Sequence, residues 1–141
     1  MKLKYPCYLT KGDNGDVILE CFAPSITTFG TLEEAVADMH SIMMDLLGEA
    51  FEMREPFPLP ETDGSHEGER IEVTLTATET LKIYLINAMI ETGMRPIDLA
   101  ERLNIARQEV TRIINPRYRT GLETLDRAIE ATGKHVKLTI V

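Results

Sequence analysis

With 141 residues, 43% of them apolar, the chain can bury the core of one domain or of two small ones. Its formal charge of −8 argues at first against a nucleic-acid partner. No segment approaches the roughly 18 apolar residues of a membrane span, and Met1–Lys4 is not followed by the apolar run of a signal peptide. The default expectation is the cytoplasm, with Cys7 and Cys21 as reduced, small apolar residues on neighbouring strands.

The front half reads as a small sheet with one helix. Tyr5–Lys11 and Val17–Phe22 are short β-prone runs joined by Gly12-Asp13-Asn14-Gly15, a hairpin turn signal. Ala23-Pro24 ends the second run, and Ile26–Phe29 supplies a third strand. Gly30 releases the chain into a helix whose capping box is Thr31 and Glu34. Leu32, Ala35, Val36, Met39, Met43, Leu46, Leu47 and Ala50 then recur at three- and four-residue steps. That is one apolar stripe over about five to six turns, suited to covering a sheet. Pro56, Pro58 and Pro60 stop the helix near Arg54-Glu55, and Phe57 and Leu59 between them are expected to pin the exit to the sheet. Glu61–Gly68 is a polar loop. Glu69–Thr76 alternates, with Ile71, Val73 and Leu75 on one face, and reads as a strand returning to the sheet. A domain boundary near residues 76–79 follows, dividing the chain into 1–76 and 77–141.

The rear half is helical. Glu79–Thr92 has Leu81, Leu85, Ala88 and Met89 facing inward, with Lys82 on the flank of that stripe; Gly93 stops it and Pro96 starts the next helix. Residues 96–115, PIDLAERLNIARQEVTRIIN, have the spacing of a helix-turn-helix. Two short helices that cross steeply need small and apolar residues where they touch. Leu99, Ala100, Leu103, Ile105, Val110 and Ile113 fill those positions. Asn104 stands in the turn where glycine is common, as the next most tolerant residue for positive φ. Ala106 stands where Ser or Thr usually caps the second helix, at a cost of about 1 kcal/mol. Asn115-Pro116 ends that helix. Leu122, Leu125, Ala128 and Ile129 mark a last helix, ended by Gly133, and HVKLTIV alternates as a terminal strand. Paired with its twin across a two-fold axis, such a strand would satisfy its edges and make a homodimer through the rear domain.

Arg107, Gln108, Thr111 and Arg112 lie on the outer face of the second helix. Arg and Gln bond base edges, and Thr reaches a base or a phosphate, so these four are the expected major-groove readers. Arg95, Arg117 and Arg119 are the expected phosphate contacts. The charge distribution agrees. Residues 1–68 hold 4 Lys/Arg against 13 Asp/Glu, a net of −9, whereas 69–141 hold 11 against 10, a net of +1. An acidic front and an Arg-bearing rear suit two partners of opposite charge.

The order of parts resembles the HicB antitoxin family, over most of the chain. The front half has the family's hairpin and then a stretch, Pro24 to Ala35, whose end is similar to the family's Gly-x-Thr-x-x-Glu-Ala. Here Gly30 directly precedes Thr31, so the agreement is partial. The Pro-rich exit PFPLP and the helix-turn-helix with its QEVTRI core look like the larger, DNA-binding members. The resemblance implies an α+β chain: a partial RNase H-like front domain with one helix, joined to a helical DNA-binding domain that ends in a short strand. It also implies an antitoxin that blocks a HicA-like toxin, small, basic and mRNA-cleaving, and that represses its own operon by binding operator DNA. The acidic front half agrees with docking a basic surface.

An RNase H-like fold raises the question of nuclease activity. Two-metal chemistry needs carboxylates converging on ions about 4 Å apart, but Asp13 and Asp16 lie in or beside a hairpin turn, Glu20 lies farther along the second strand, and Glu33 and Glu34 sit in a helix's first turn, where capping explains them. His40, His66, His135 and the two cysteines make no recognisable metal site. The expectation is a non-enzyme without cofactor, dimeric or of higher order. A transcription regulator with a ligand-sensing front domain is the alternative.

Overall fold

The computed structural model describes residues 2–62 and 64–141. The chain is α+β, and its elements fall into two compact units. One comprises Lys2–Leu46 and Pro58–Leu75; the other comprises Leu47–Phe57 and Thr76–Val141.

The first unit is built on a four-stranded antiparallel sheet of β1 (Lys4–Lys11), β2 (Val17–Phe22), β3 (Ser25–Gly30) and β4 (Glu69–Thr74), in the order β3-β2-β1-β4. A single 3₁₀ turn at Asp13–Gly15 links β1 to β2, with Asn14 at φ 57° and Gly15 at φ 81°, the conformations for which Asn and Gly are suited. Ala23-Pro24, a cis peptide, links β2 to β3. Alternation decides the faces. Cys7, Leu19, Cys21, Ile26 and Thr28 are buried on one side, whereas Phe22 and Phe29 on the other are exposed. Helix α1 (Leu32–Met53) starts on the expected capping box, with Thr31 N–H donating to Glu34 Oε1 (3.4 Å) and Glu34 N–H to Thr31 Oγ1 (3.2 Å). Its stripe buries Ala35, Met39 and Met43 completely. Thr28 Oγ1 donates to the Ala35 carbonyl at 2.8 Å and ties the helix to the buried face of the sheet. Cys7 and Cys21 face each other across β1 and β2 as free thiols. The hydrogen bond between them, with burial, pushes the Cys7 thiol above its ordinary range.

The loop before β4 is held to the sheet by aromatic side chains. His66 stacks on Phe22 with ring centroids 3.8 Å apart, and Tyr8 donates its hydroxyl to the Gly64 carbonyl at 2.8 Å.

The second unit is helical: α2 (Ala77–Thr92), α3 (Pro96–Leu103), α4 (Arg107–Ile114) and α5 (Leu122–Ala131). Helix α2 begins two residues earlier than the apolar pattern suggested. A second capping box supplies the reason, with Thr76 Oγ1 accepting from Glu79 N–H and Glu79 Oε1 accepting from Thr76 N–H. Leu85, Met89, Met94, Leu99, Ala100, Val110, Ile113, Leu125, Ala128 and Ile129 form one buried cluster, with Phe51 from the end of α1 packed against it. Each fully buried Leu or Met in it contributes about 1.5–3 kcal/mol relative to exposure.

The backbone of Phe57 is held by Asn87 of α2: its N–H donates to Asn87 Oδ1 (2.8 Å) and its carbonyl accepts from Asn87 Nδ2 (3.0 Å). The Phe57 side chain is buried, and the next residue meets the sheet, where the Tyr5 hydroxyl of β1 donates to the Pro58 carbonyl at 2.8 Å. Leu59, expected to help pin this exit, is 48% exposed. One expectation is corrected here. The terminal strand is absent: residues 134–141 form no ladder, and Leu138, Ile140 and Val141 are exposed. A strand exists only through bonds to a neighbouring strand, and among the described residues no strand lies beside this tail.

Candidate nucleic-acid interface

Helices α3 and α4 pack closely, and the three residues between them set their geometry. Asn104 adopts the left-handed conformation (φ 54°, ψ 50°), and its N–H and that of Ile105 return to the carbonyls at the end of α3. Ala106 is in the N-cap position of α4 with no side-chain hydrogen bond. Leu99, Ala100, Val110 and Ile113 are buried in the helical core, and Leu103 and Ile105 pack on it half-buried. The six residues assigned to the helix contact therefore all sit in one cluster.

With Val110 and Ile113 inward, the opposite face of α4 presents Arg107, Gln108, Thr111 and Arg112, all four exposed. Positions i, i+1, i+4 and i+5 share one face. Thr111 Oγ1 donates to the Arg107 carbonyl at 3.2 Å. Arg112 lies 5.7 Å from the centroid of the Tyr118 ring and 3.9 Å from Glu109. Arg95 caps α3: Asp98 Oδ2 accepts from its N–H at 2.8 Å, and its guanidinium bonds both carboxylate oxygens. That hydrogen bonding holds the Asp98 carboxyl below its usual range. Arg117 and Arg119 are exposed on the loop between α4 and α5. Arg102, by contrast, is used internally, donating to the Ala131 carbonyl at the end of α5 at 2.6 Å.

Lys82 positions this surface, and its role was not legible as a flank residue. It is fully buried. Its Nζ donates to the carbonyls of Tyr118 (2.5 Å), Asn115 (2.6 Å) and Arg112 (3.3 Å). Three N–H donors meet three carbonyls, two of them at the end of α4, where the helix dipole favours a cation. The loop carrying Arg117, Tyr118 and Arg119 is thereby fixed to α2. Burial pushes the amine down to about 8, so it stays mostly charged at pH 7. The available signal was its spacing: Lys82, Leu85 and Met89 follow i, i+3, i+7 and share the inward stripe.

No protein-family model matches the chain. Curated relatives do. Antitoxin HicB of Escherichia coli strain K12 is 30% identical over 141 residues, covering 99% of this chain and all of that protein. The chain belongs to the HicB antitoxin family. Antitoxin HicB 2 of Photorhabdus laumondii is 29% identical over 140 residues, spanning 99% of this chain and 97% of that protein. Antitoxin HicB of Pseudomonas fluorescens strain Pf0-1 is 28% identical over 128 residues. A HicB-family match of this extent takes in both the sheet and the rear helices. Among the described residues of this HicB-family chain, no three His, Cys, Asp or Glu side chains are grouped to hold a metal ion, and no helix is long and apolar enough to cross a membrane.

Proposed function

We propose that this chain is a non-catalytic antitoxin that binds and neutralises a small, basic, HicA-like mRNA-cleaving toxin and represses its own operon by binding operator DNA. The observation that carries the reading is similarity along the whole chain to proteins named Antitoxin HicB. The front residues, 1–76, form a partial RNase H-like domain that meets the toxin. Their acidity favours this, since residues 1–68 carry a net of −9. Residues 77–141 form the DNA-binding and dimerisation domain, with α3 and α4 as a helix-turn-helix. Exposure of Arg107, Gln108, Thr111 and Arg112 on one face of α4 supports their role as base readers. Arg95, Arg117 and Arg119 hold phosphates beside them. The tail of a second copy supplies the ladder that residues 135–141 lack, and the resulting two-fold places two recognition helices on half-sites about 34 Å apart.

The test is co-purification. The tagged chain, expressed with its neighbouring reading frame, elutes with a small basic protein whose expression alone stops growth. A homodimer that elutes alone refutes the antitoxin role.

A further inference from the structure

We propose that the open edge of β3, together with the groove between that edge and α1, receives an extended cationic strand of the partner protein, which adds to the sheet as a fifth strand. The inference rests on the antitoxin reading and names the surface that serves it.

The two edges of the sheet are chemically unlike. Proteins protect edge strands against pairing with charged side chains, proline or bulges. At one edge, β4 (ERIEVT) carries Glu69, Arg70 and Glu72. At the other, β3 (SITTFG) carries no charge and no proline. Its register with β2 also runs without a slip from Phe22↔Ser25 to Val17↔Gly30, so no bulge interrupts it. A flat, uncharged edge leaves a row of alternate N–H and C=O groups pointing away from β2, the template used in strand addition.

Beside this edge is a groove of about 260 Å³, lined by Thr27, Thr28 and Phe29 of the strand and by Asp38, Ser41 and Ile42 of α1. Phe29, on the face of β3 away from α1, is 70% exposed, an apolar surface along the same edge for a neighbouring strand to cover. The charge of the groove selects its occupant. Between Leu32 and Leu46, α1 carries Glu33, Glu34, Asp38 and Asp45 and no Lys or Arg. A second copy of this chain paired edge to edge about a two-fold would set one acidic α1 flank against another. A strand bearing Lys or Arg meets opposite charge instead, and its alternate side chains enter the groove toward Asp38.

The experiment uses the full-length chain and the basic protein encoded beside it. Phe29→Lys and Asp38→Lys change exposed side chains only, and unchanged melting temperatures verify their folds. Each variant is expected to weaken partner binding at least tenfold while operator binding holds. Glu72→Lys, on the opposite edge, is expected to change it less than twofold. Hydrogen exchange is expected to show alternate amides of Ser25–Gly30 protected only in the complex. Wild-type affinity in both variants, or no added protection in β3, overturns the proposal while leaving the antitoxin role intact. A Phe29→Lys variant that halves the mass of the free protein but keeps partner affinity assigns the edge to a second copy and also overturns it. Failure of the wild-type chain to bind the basic protein removes the antitoxin reading itself.

Discussion

Replacing Lys82 with Met keeps a long side chain in the core but removes the buried charge and its three hydrogen bonds. The Tyr118 carbonyl then loses its donor, at about 1–3 kcal/mol for a buried acceptor left unsatisfied, whereas the carbonyls of Arg112 and Asn115 lose the ammonium but keep the N–H of Asn115 and of Tyr118. Against that, the charge is expensive to bury. The amine is pushed from 10.5 down to about 8, which corresponds to roughly 3 kcal/mol. The two effects oppose each other with similar magnitude, so Lys82→Met is expected to change stability at pH 7 by no more than about 2 kcal/mol. The pH dependence gives the sharper test. Between about pH 8 and 10.5 the unfolded chain holds the Lys82 proton and the folded chain does not. Wild-type stability from this group therefore rises with pH across that window, by about 1.4 kcal/mol per pH unit, and is level below about 8, where both states hold the proton. The variant lacks this contribution, and the other titrating groups cancel in the comparison. Urea denaturation of both proteins from pH 7 to 10.5 is expected to show the wild type gaining stability relative to the variant as pH rises. A difference that stays constant, or moves the other way, would refute the account of Lys82 as an amine whose charge is disfavoured by burial.

The remaining expectations concern the rear domain. Gln108→Ala is expected to relax operator preference by about 1–3 kcal/mol at one base position, whereas Arg119→Ala weakens binding to all DNA alike and reduces the salt slope by about one. Titrations against operator and random duplexes at several salt concentrations separate the two, and identical effects on both duplexes would contradict the assignment. Ala106→Ser supplies the cap that α4 lacks and is expected to stabilise the chain by about 1 kcal/mol; an unchanged melting temperature argues against that local account. Deleting residues 135–141 is expected to impair dimerisation, and an unchanged sedimentation mass would dismiss the tail as the dimer strand.

Local chemistry made most elements legible before any fold was known. The Thr31 and Glu34 box, the four-residue spacing of Ala35, Met39 and Met43, and the prolines from Pro56 onward determine α1 through hydrogen bonding within a few residues and one apolar stripe. Asn104 likewise marks the sharp turn between α3 and α4, because a left-handed residue is a local requirement. The exposed face of α4 follows from helical periodicity once Val110 and Ile113 are known to be apolar. Only the tertiary structure decided which distant groups meet. Phe57 sits between prolines that suit any extended path, and Asn87, thirty residues away, binds both of its backbone groups. The tail has the alternation of a strand, but alternation names a face and not a neighbour, so it remains unpaired in a single chain. Lys82 is the clearest case: its charge argued for the surface, and the three carbonyls that hold it inside belong to the end of α4 and the loop after it, at least thirty residues further along the chain.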